Sequence, residues 1–298
     1  MAADGHALHG TVRGAKPQAG AALPERLTCH SVDLRERSTV EALVQSLRPD
    51  WVFHLAASSS VAASWEDPAE TLTNNIGAQA NLLAALVGLE RLPRVLVVGS
   101  ADEYGAPQRD DALLDEDAPL RPITPYGVSK VAQDYLALQY HLSHGLPVVR
   151  VRPFNHVGPG QSPAFAVASF ARQVARIEAG REAPVLKVGN LESRRDFSDV
   201  RDVVQAYRLA VDQGRPGDVY NIGSERSVRL REVVDMLVGM SRTRITVEVD
   251  PTRTRPVETR AYRCDSSRFR RLTGWRPSIP LEQTLRDTIE YWRRVEAA

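Results

Sequence analysis

Cysteine is nearly absent: Cys29 and Cys264 stand far apart in 298 residues. That excludes a disulfide framework or cysteine knuckle and makes a reduced, cytoplasmic setting the expectation. Lysine is almost as scarce. Only Lys16, Lys130 and Lys187 occur among 38 basic residues, so this chain uses arginine where charge alone is needed. Each lysine is therefore a candidate for work requiring a compact cation or a movable pKa. No run approaches the 18 or so apolar residues of a membrane span. The opening MAADGHALHG has neither a basic cluster nor an apolar run, which predicts no signal peptide. A net charge of +1 provides no global field for nucleic acid or anionic membrane. His141 and His144 sit three apart near a helix end with no carboxylate or third ligand nearby in sequence, so no metal site is expected.

With 43% hydrophobic residues, the chain can bury a substantial core in one large and one small domain. Its first half alternates short apolar runs with helical patterns, the mark of parallel βαβ units. Strands are expected in ALHGTV (7–12), LTCHSV (27–32), WVFHLAA (51–57), RVLVVGS (94–100), PVVRVRPF (147–154) and DVYNIGS (218–224). Helices are expected over 74–89, from Pro125 to Gly145, from Ser162-Pro163 to a glycine, and near the end. There Leu281, Leu285, Ile289 and Trp292 share one face. The proline-rich acidic stretch from Ala106 to Pro125 reads as a long functional loop.

PYGVSK (125–130) sets Tyr126 and Lys130 four apart on a helix. At about 100° per residue they share one side, and Val128, Val131, Tyr135, Leu138 and Leu142 form an apolar stripe on the other. A chance Tyr-x-x-x-Lys on a solvated face has the same spacing. The order of elements favours chemistry. Ser100 ends a buried strand, and in open α/β sheets ligands bind beyond the carboxyl ends of strands. A lysine cation is expected to lower the tyrosine pKa, and the tyrosine to exchange a proton with a sugar or alcohol oxygen.

With these residues in place, the chain resembles an extended short-chain dehydrogenase/reductase of the nucleotide-sugar epimerase/dehydratase family. The resemblance rests on VDL, HLAA, TNNIGAQANLL, GSADEYG, PYGVSK, RPFNHVGPGQ, LKVGNLESRRDFSDVRD, YNIGS, RPVE and TGWRP, in order. FNHVGPGQ and KVGNLE most resemble the GDP-4-dehydro-6-deoxy-D-mannose reductase branch; the sister branch is GDP-mannose 4,6-dehydratase. The resemblance implies a Rossmann-like doubly wound parallel sheet with a smaller C-terminal α/β domain. Residues 1–153 would bind the dinucleotide with 195–222 returning to them, and 154–194 and 223–298 would bind the nucleotide sugar. It implies Ser100, Tyr126 and Lys130 as the catalytic set. Asp102 stands where dehydratases carry a longer glutamate. Arg13, Asp33, Leu55, Ala56, Ala57 and Asn75, with Tyr126 and Lys130, would hold NADP(H) in preference to NAD(H). Asn155, His156, Lys187, Asn190, Arg195, Arg255 and Glu258 would hold a GDP-linked 4-keto-6-deoxy sugar. From composition alone, Arg195 and Arg255 read better as surface salt-bridge cations, and Arg13 as an ordinary loop cation. A homodimer is implied through helices including that of PYGVSK.

Ala101 can do no proton chemistry, which favours reduction of a 4-keto sugar over dehydration. The family's Gly-x-x-Gly-x-x-Gly turn is not found in this sequence. ADGHALHGTVRG instead looks like a first helix running into the second strand, so a central strand–turn–helix unit of roughly 25–30 residues is expected to be missing. That would leave about 10 Å, two strand spacings, between its former neighbours. Either the natural chain starts earlier, or this is a sugar-nucleotide-binding protein that has lost its cofactor grip.

Overall fold

The computed structural model describes residues 5–14, 26–106, 109, 111–253 and 261–297. Strands β1 (Leu8–Val12) and β2 (Leu27–Ser31) pair in parallel, Leu8 opposite Leu27. Helix α1 (Arg37–Leu47) leads to β3 (Trp51–His54), α2 (Val61–Glu66), α3 (Pro68–Val87) and β4 (Arg94–Val98). β5 (Ala112–Leu114) precedes α4 (Pro125–His144), β6 (Val148–Pro153), β7 (Asn155–Val157) and α5 (Ala166–Glu178). β8 (Val185–Val188), β9 (Arg194–Asp199), α6 (Val200–Gln213), β10 (Val219–Ile222), β11 (Ser227–Arg229) and α7 (Leu230–Gly239) follow. The chain closes through β12 (Thr246–Val249), β13 (Tyr262–Cys264), α8 (Ser267–Thr273) and α9 (Leu281–Ala297).

The main sheet is parallel, in the order β10-β6-β4-β3. Among the described residues β1 and β2 form a separate two-stranded sheet, so β3 has no partner on its outer edge. β4 is apolar on both faces because both are covered. Val95 and Val97 pack with Leu83, Leu86 and Ala137 of α3 and α4. Leu96 turns to Val151, Ala206 and Phe269 on the other face. A separate core joins α5, α7 and α9, where Leu285 and Ile289 are fully buried beside Trp292.

Three elements differ from the sequence reading. The helix over 74–89 starts earlier, at Pro68, where the Asp67 side chain accepts from Glu70 N. The Ser-Pro helix begins only at Ala166. The Ala106–Pro125 segment contains β5, which pairs in parallel with β13. Two three-residue strands joined from distant parts of the chain carry no periodic signal of their own.

Candidate active site

β4 is followed by Gly99, and Ser100 caps a short 3-10 turn, Ala101–Glu103. Ser100 Oγ accepts from Asp102 N at 3.1 Å, and Glu103 Oε1 returns to accept from Ser100 N at 2.8 Å. These reciprocal bonds form a capping box. Glu103 lies so close behind the strand that a Cβ on Gly99 would overlap its Oε1.

Helix α4 brings up the other two groups. Thr124 Oγ1 accepts from Gly127 N at 2.9 Å, Pro125 opens the first turn, and Gly145 closes the helix in the left-handed region at φ 68°. Tyr126 and Lys130 both face inward and are buried, at 8% and 5% exposure. Lys130 Nζ donates to Val98 O at 2.9 Å and lies 5.9 Å from the centre of the Tyr126 ring. Gly127 lets the helix approach the serine turn, since a Cβ there would lie 2.7 Å from Asp102 O. Gly127→Ala is expected to cost about 1–3 kcal/mol by overpacking and to lower turnover more than substrate binding; thermal unfolding and steady-state kinetics check both.

One expectation requires correction, and the structure alone decides which face of α4 is buried. The apolar stripe on α4 faces outward: Val128, Tyr135 and Leu142 are 45%, 56% and 73% exposed. The polar side carrying Tyr126, Ser129, Lys130, Gln133 and Asp134 is the buried one. Nor does Lys130 depress the tyrosine here. Burial, reinforced by the charge of Asp102, pushes Tyr126 above its ordinary value, against a hydrogen bond with Ser100. Burial also lowers Lys130 to about 8, opposed by Glu103.

A cleft of about 250 Å³ opens where β1, β2 and β3 end, lined by Arg13, Asp33, Ala56, Ala57, Ser58 and Asn74 among others. Ala56 and Ala57 leave the backbone open to a flat ring, and Arg13 offers a surface cation donating to Asn74 Oδ1 at 3.4 Å. Those features fit the adenosine half of a dinucleotide. Asp33 is engaged by Arg35, whose hydrogen bonds hold its carboxyl down at about 2. Leu55 is 61% exposed beside the cleft. Asn75 is fully buried and does not form the floor. Its Oδ1 accepts from Ser58 N and its Nδ2 donates to Ser129 Oγ, making it a strut between the β3 loop and α4. Its neighbour Asn74 lines the cleft.

On the other side, Asn155 and His156 begin β7. Asn155 Nδ2 reaches Asp196 O at 3.5 Å, and burial lowers the His156 pKa. Lys187 presents an exposed side chain from β8, with its backbone held by Gln173. Asn190 Oδ1 accepts from Glu192 N, and Arg195 donates to Arg194 O. Arg255 and Glu258 lie outside the described residues. A cleft of about 500 Å³ beside α5 is lined by Arg172, Gln173, Arg176 and Arg253. Gly189 permits this approach, since a Cβ there would meet Arg253 O at 2.6 Å.

Sequence reasoning missed Tyr262, which links the two sides. Its hydroxyl donates to Ala101 O at 3.4 Å, and the charges of Asp102 and Arg195 both reach it. It also missed His54, buried on β3 next to the charge of Lys130 and lowered to about 3, chiefly by burial. Among the described residues no group of three or more His, Cys, Asp or Glu side chains could hold a metal, and no helix is long and apolar enough to cross a membrane.

The sequence profile of the GDP-mannose 4,6 dehydratase family matches residues 3–288. The chain is 38% identical over 263 residues to GDP-6-deoxy-D-mannose reductase of Pseudomonas aeruginosa, covering 88% of this chain and 86% of that protein. It is 28% identical to GDP-mannose 4,6 dehydratase 1 of Arabidopsis thaliana, covering 88% and 73%. The structure of RMD from P. aeruginosa complexed with NADPH superposes with a TM-score of 0.84 at 35% identity, covering 92% of each chain.

Proposed function

The chain belongs to the GDP-mannose 4,6-dehydratase family, and from that premise we propose that it reduces the 4-keto group of GDP-4-dehydro-6-deoxy-D-mannose to the alcohol of GDP-D-rhamnose, using NADPH. The observation carrying this reading is the convergence of Ser100, Tyr126 and Lys130 at the carboxyl end of β4, with inert Ala101 beside them.

Reduction adds a hydride to C4 and a proton to its oxygen. A bound nicotinamide cofactor supplies the hydride. Tyr126 gives its hydroxyl proton to the oxygen, and Ser100 Oγ–H hydrogen-bonds the same oxygen as charge develops there. Burial of Tyr126 keeps water from competing. Lys130, anchored on Val98 O, stands behind the pair and holds the strand end against the Tyr126 ring. Arg13 suits the extra phosphate of NADPH, with Ala56 and Ala57 beneath the dinucleotide. Lys187, Arg195 and Arg255 supply cations for the sugar's diphosphate, and Glu258 an acceptor for ribose hydroxyls. The exposed Val128, Tyr135 and Leu142 stripe suits pairing with a second copy of the chain.

A second reading, GDP-mannose 4,6-dehydration, draws on Asp102, a half-buried carboxylate whose charge reaches Tyr126. Dehydration needs such a base for the C5 proton. GDP-mannose with a catalytic amount of NADP separates the two: a reductase leaves the sugar unchanged, and a dehydratase yields the keto sugar. Formation of the keto sugar overturns the reductase reading.

A further inference from the structure

Behind the reacting face lies a closed ring of buried charges. Glu103 accepts from Ser100 N, and its Oε2 lies 3.0 Å from Arg152 Nε of β6. Arg152 Nη2 donates to Asp134 Oδ2 at 2.5 Å. Asp134 sits one turn beyond Lys130 on α4 and also receives Arg150 Nη1 at 3.0 Å. Lys130 closes the ring by donating to Val98 O, two residues before Ser100. Glu103 is 0% exposed, Asp134 1% and Arg152 4%. A carboxylate loses several kcal/mol on such burial unless its placement returns it.

We propose that Glu103 is a positioning residue: through this ring it holds Ser100 and Lys130 on one strand end and, once ionised, serves as the buried counter-charge to the Lys130 ammonium. It acts through the serine and the lysine and needs no contact with substrate. The groups facing the pair are His54 of β3, Tyr126 and Asp134 of α4, Arg152 of β6, and Asp102 in the turn itself. Asp134 and burial disfavour the Glu103 carboxylate, while Arg152, the Ser100 amide and Lys130 favour it. Among these groups, Glu103 is the one whose charge raises the Lys130 pKa. The inference rests on the reductase reading only for its effect on turnover.

Three lysines in the chain make the test direct. With 13C-labelled lysine, Lys130 can be followed by NMR apart from Lys16 and Lys187, without any enzyme assay. Glu103→Gln keeps an acceptor for Ser100 N and removes the charge. It is expected to move the Lys130 midpoint about one unit downward, a tenfold change in ionisation, with Lys16 and Lys187 unmoved. The alkaline limb of kcat should move down with it while KM stays close to the wild type. Glu103→Asp, which retains charge, should restore most of the midpoint. An unchanged Lys130 midpoint in Glu103→Gln overturns the proposal even if the protein is active. A shifted midpoint in a protein that never reduces the keto sugar supports it and overturns only the reductase reading. Should the variants not fold, the unmodified protein decides: its Lys130 signal shows a second inflection as Glu103 titrates, and a single inflection contradicts the coupling.

Discussion

Tyr126→Phe is expected to lower kcat for keto-sugar reduction by about 10²–10⁴-fold, the usual contribution of a positioned acid. KM should change little. The phenol is buried against Ser100 and removal of its oxygen leaves the helix and its cap untouched. The loss belongs to the transition state, where the proton moves, and not to ground-state binding. A phenylalanine variant that retains wild-type kcat would show that another group delivers the proton, Asp102 being a carboxyl whose charge reaches Tyr126. A variant that loses KM and kcat together would instead point to disturbed packing.

Arg152→Met is the substitution with the largest expected effect on stability. It removes the cation between Glu103 and Asp134 and leaves two carboxyls buried side by side, with only Arg150 still paired to Asp134. Breaking a buried ion pair from one side costs about 3–5 kcal/mol, which lowers Tm by roughly 6–20 °C at a few degrees per kcal/mol. The pH dependence has a definite sign. Glu103 is already pushed up from 4.5 to about 8 by burial and by Asp134, with Arg152 opposing. Without Arg152 it rises further, so the folded variant binds more protons than the unfolded chain from about pH 4.5 upward. The variant is then least impaired in acid, and its deficit widens as pH rises through 8. Urea unfolding across that range checks it; a deficit independent of pH would mean the loss is one of packing alone.

The architecture was legible because parallel strands covered on both faces leave continuous apolar runs, as Val95 to Val98 do, and because Thr124, Pro125 and Gly145 punctuate the helix that carries Tyr126 and Lys130. The direction of that helix was not legible. Its buried side is polar, since it faces the serine turn and the Arg150 and Arg152 side chains, so the apolar stripe points outward. The ring behind the site was hidden for a related reason. Nothing in GSADEYG marks Glu103, and only the fold shows it fully buried against Arg152, which comes from a strand some fifty residues later. Tyr262 was missed because β13 is three residues long and its partner β5 lies in an apparent loop. Asn74 and Asn75 are adjacent, and sequence alone does not tell which enters the cleft and which braces the helix.

The most direct measurement is a single incubation of the protein with GDP-4-dehydro-6-deoxy-D-mannose and NADPH, followed by loss of cofactor absorbance and chromatography of the sugar nucleotide. A buried phenol backed by a serine and a lysine predicts one NADPH oxidised for each keto sugar reduced, with GDP-D-rhamnose as product. Unchanged NADPH with the keto sugar recovered intact would contradict it.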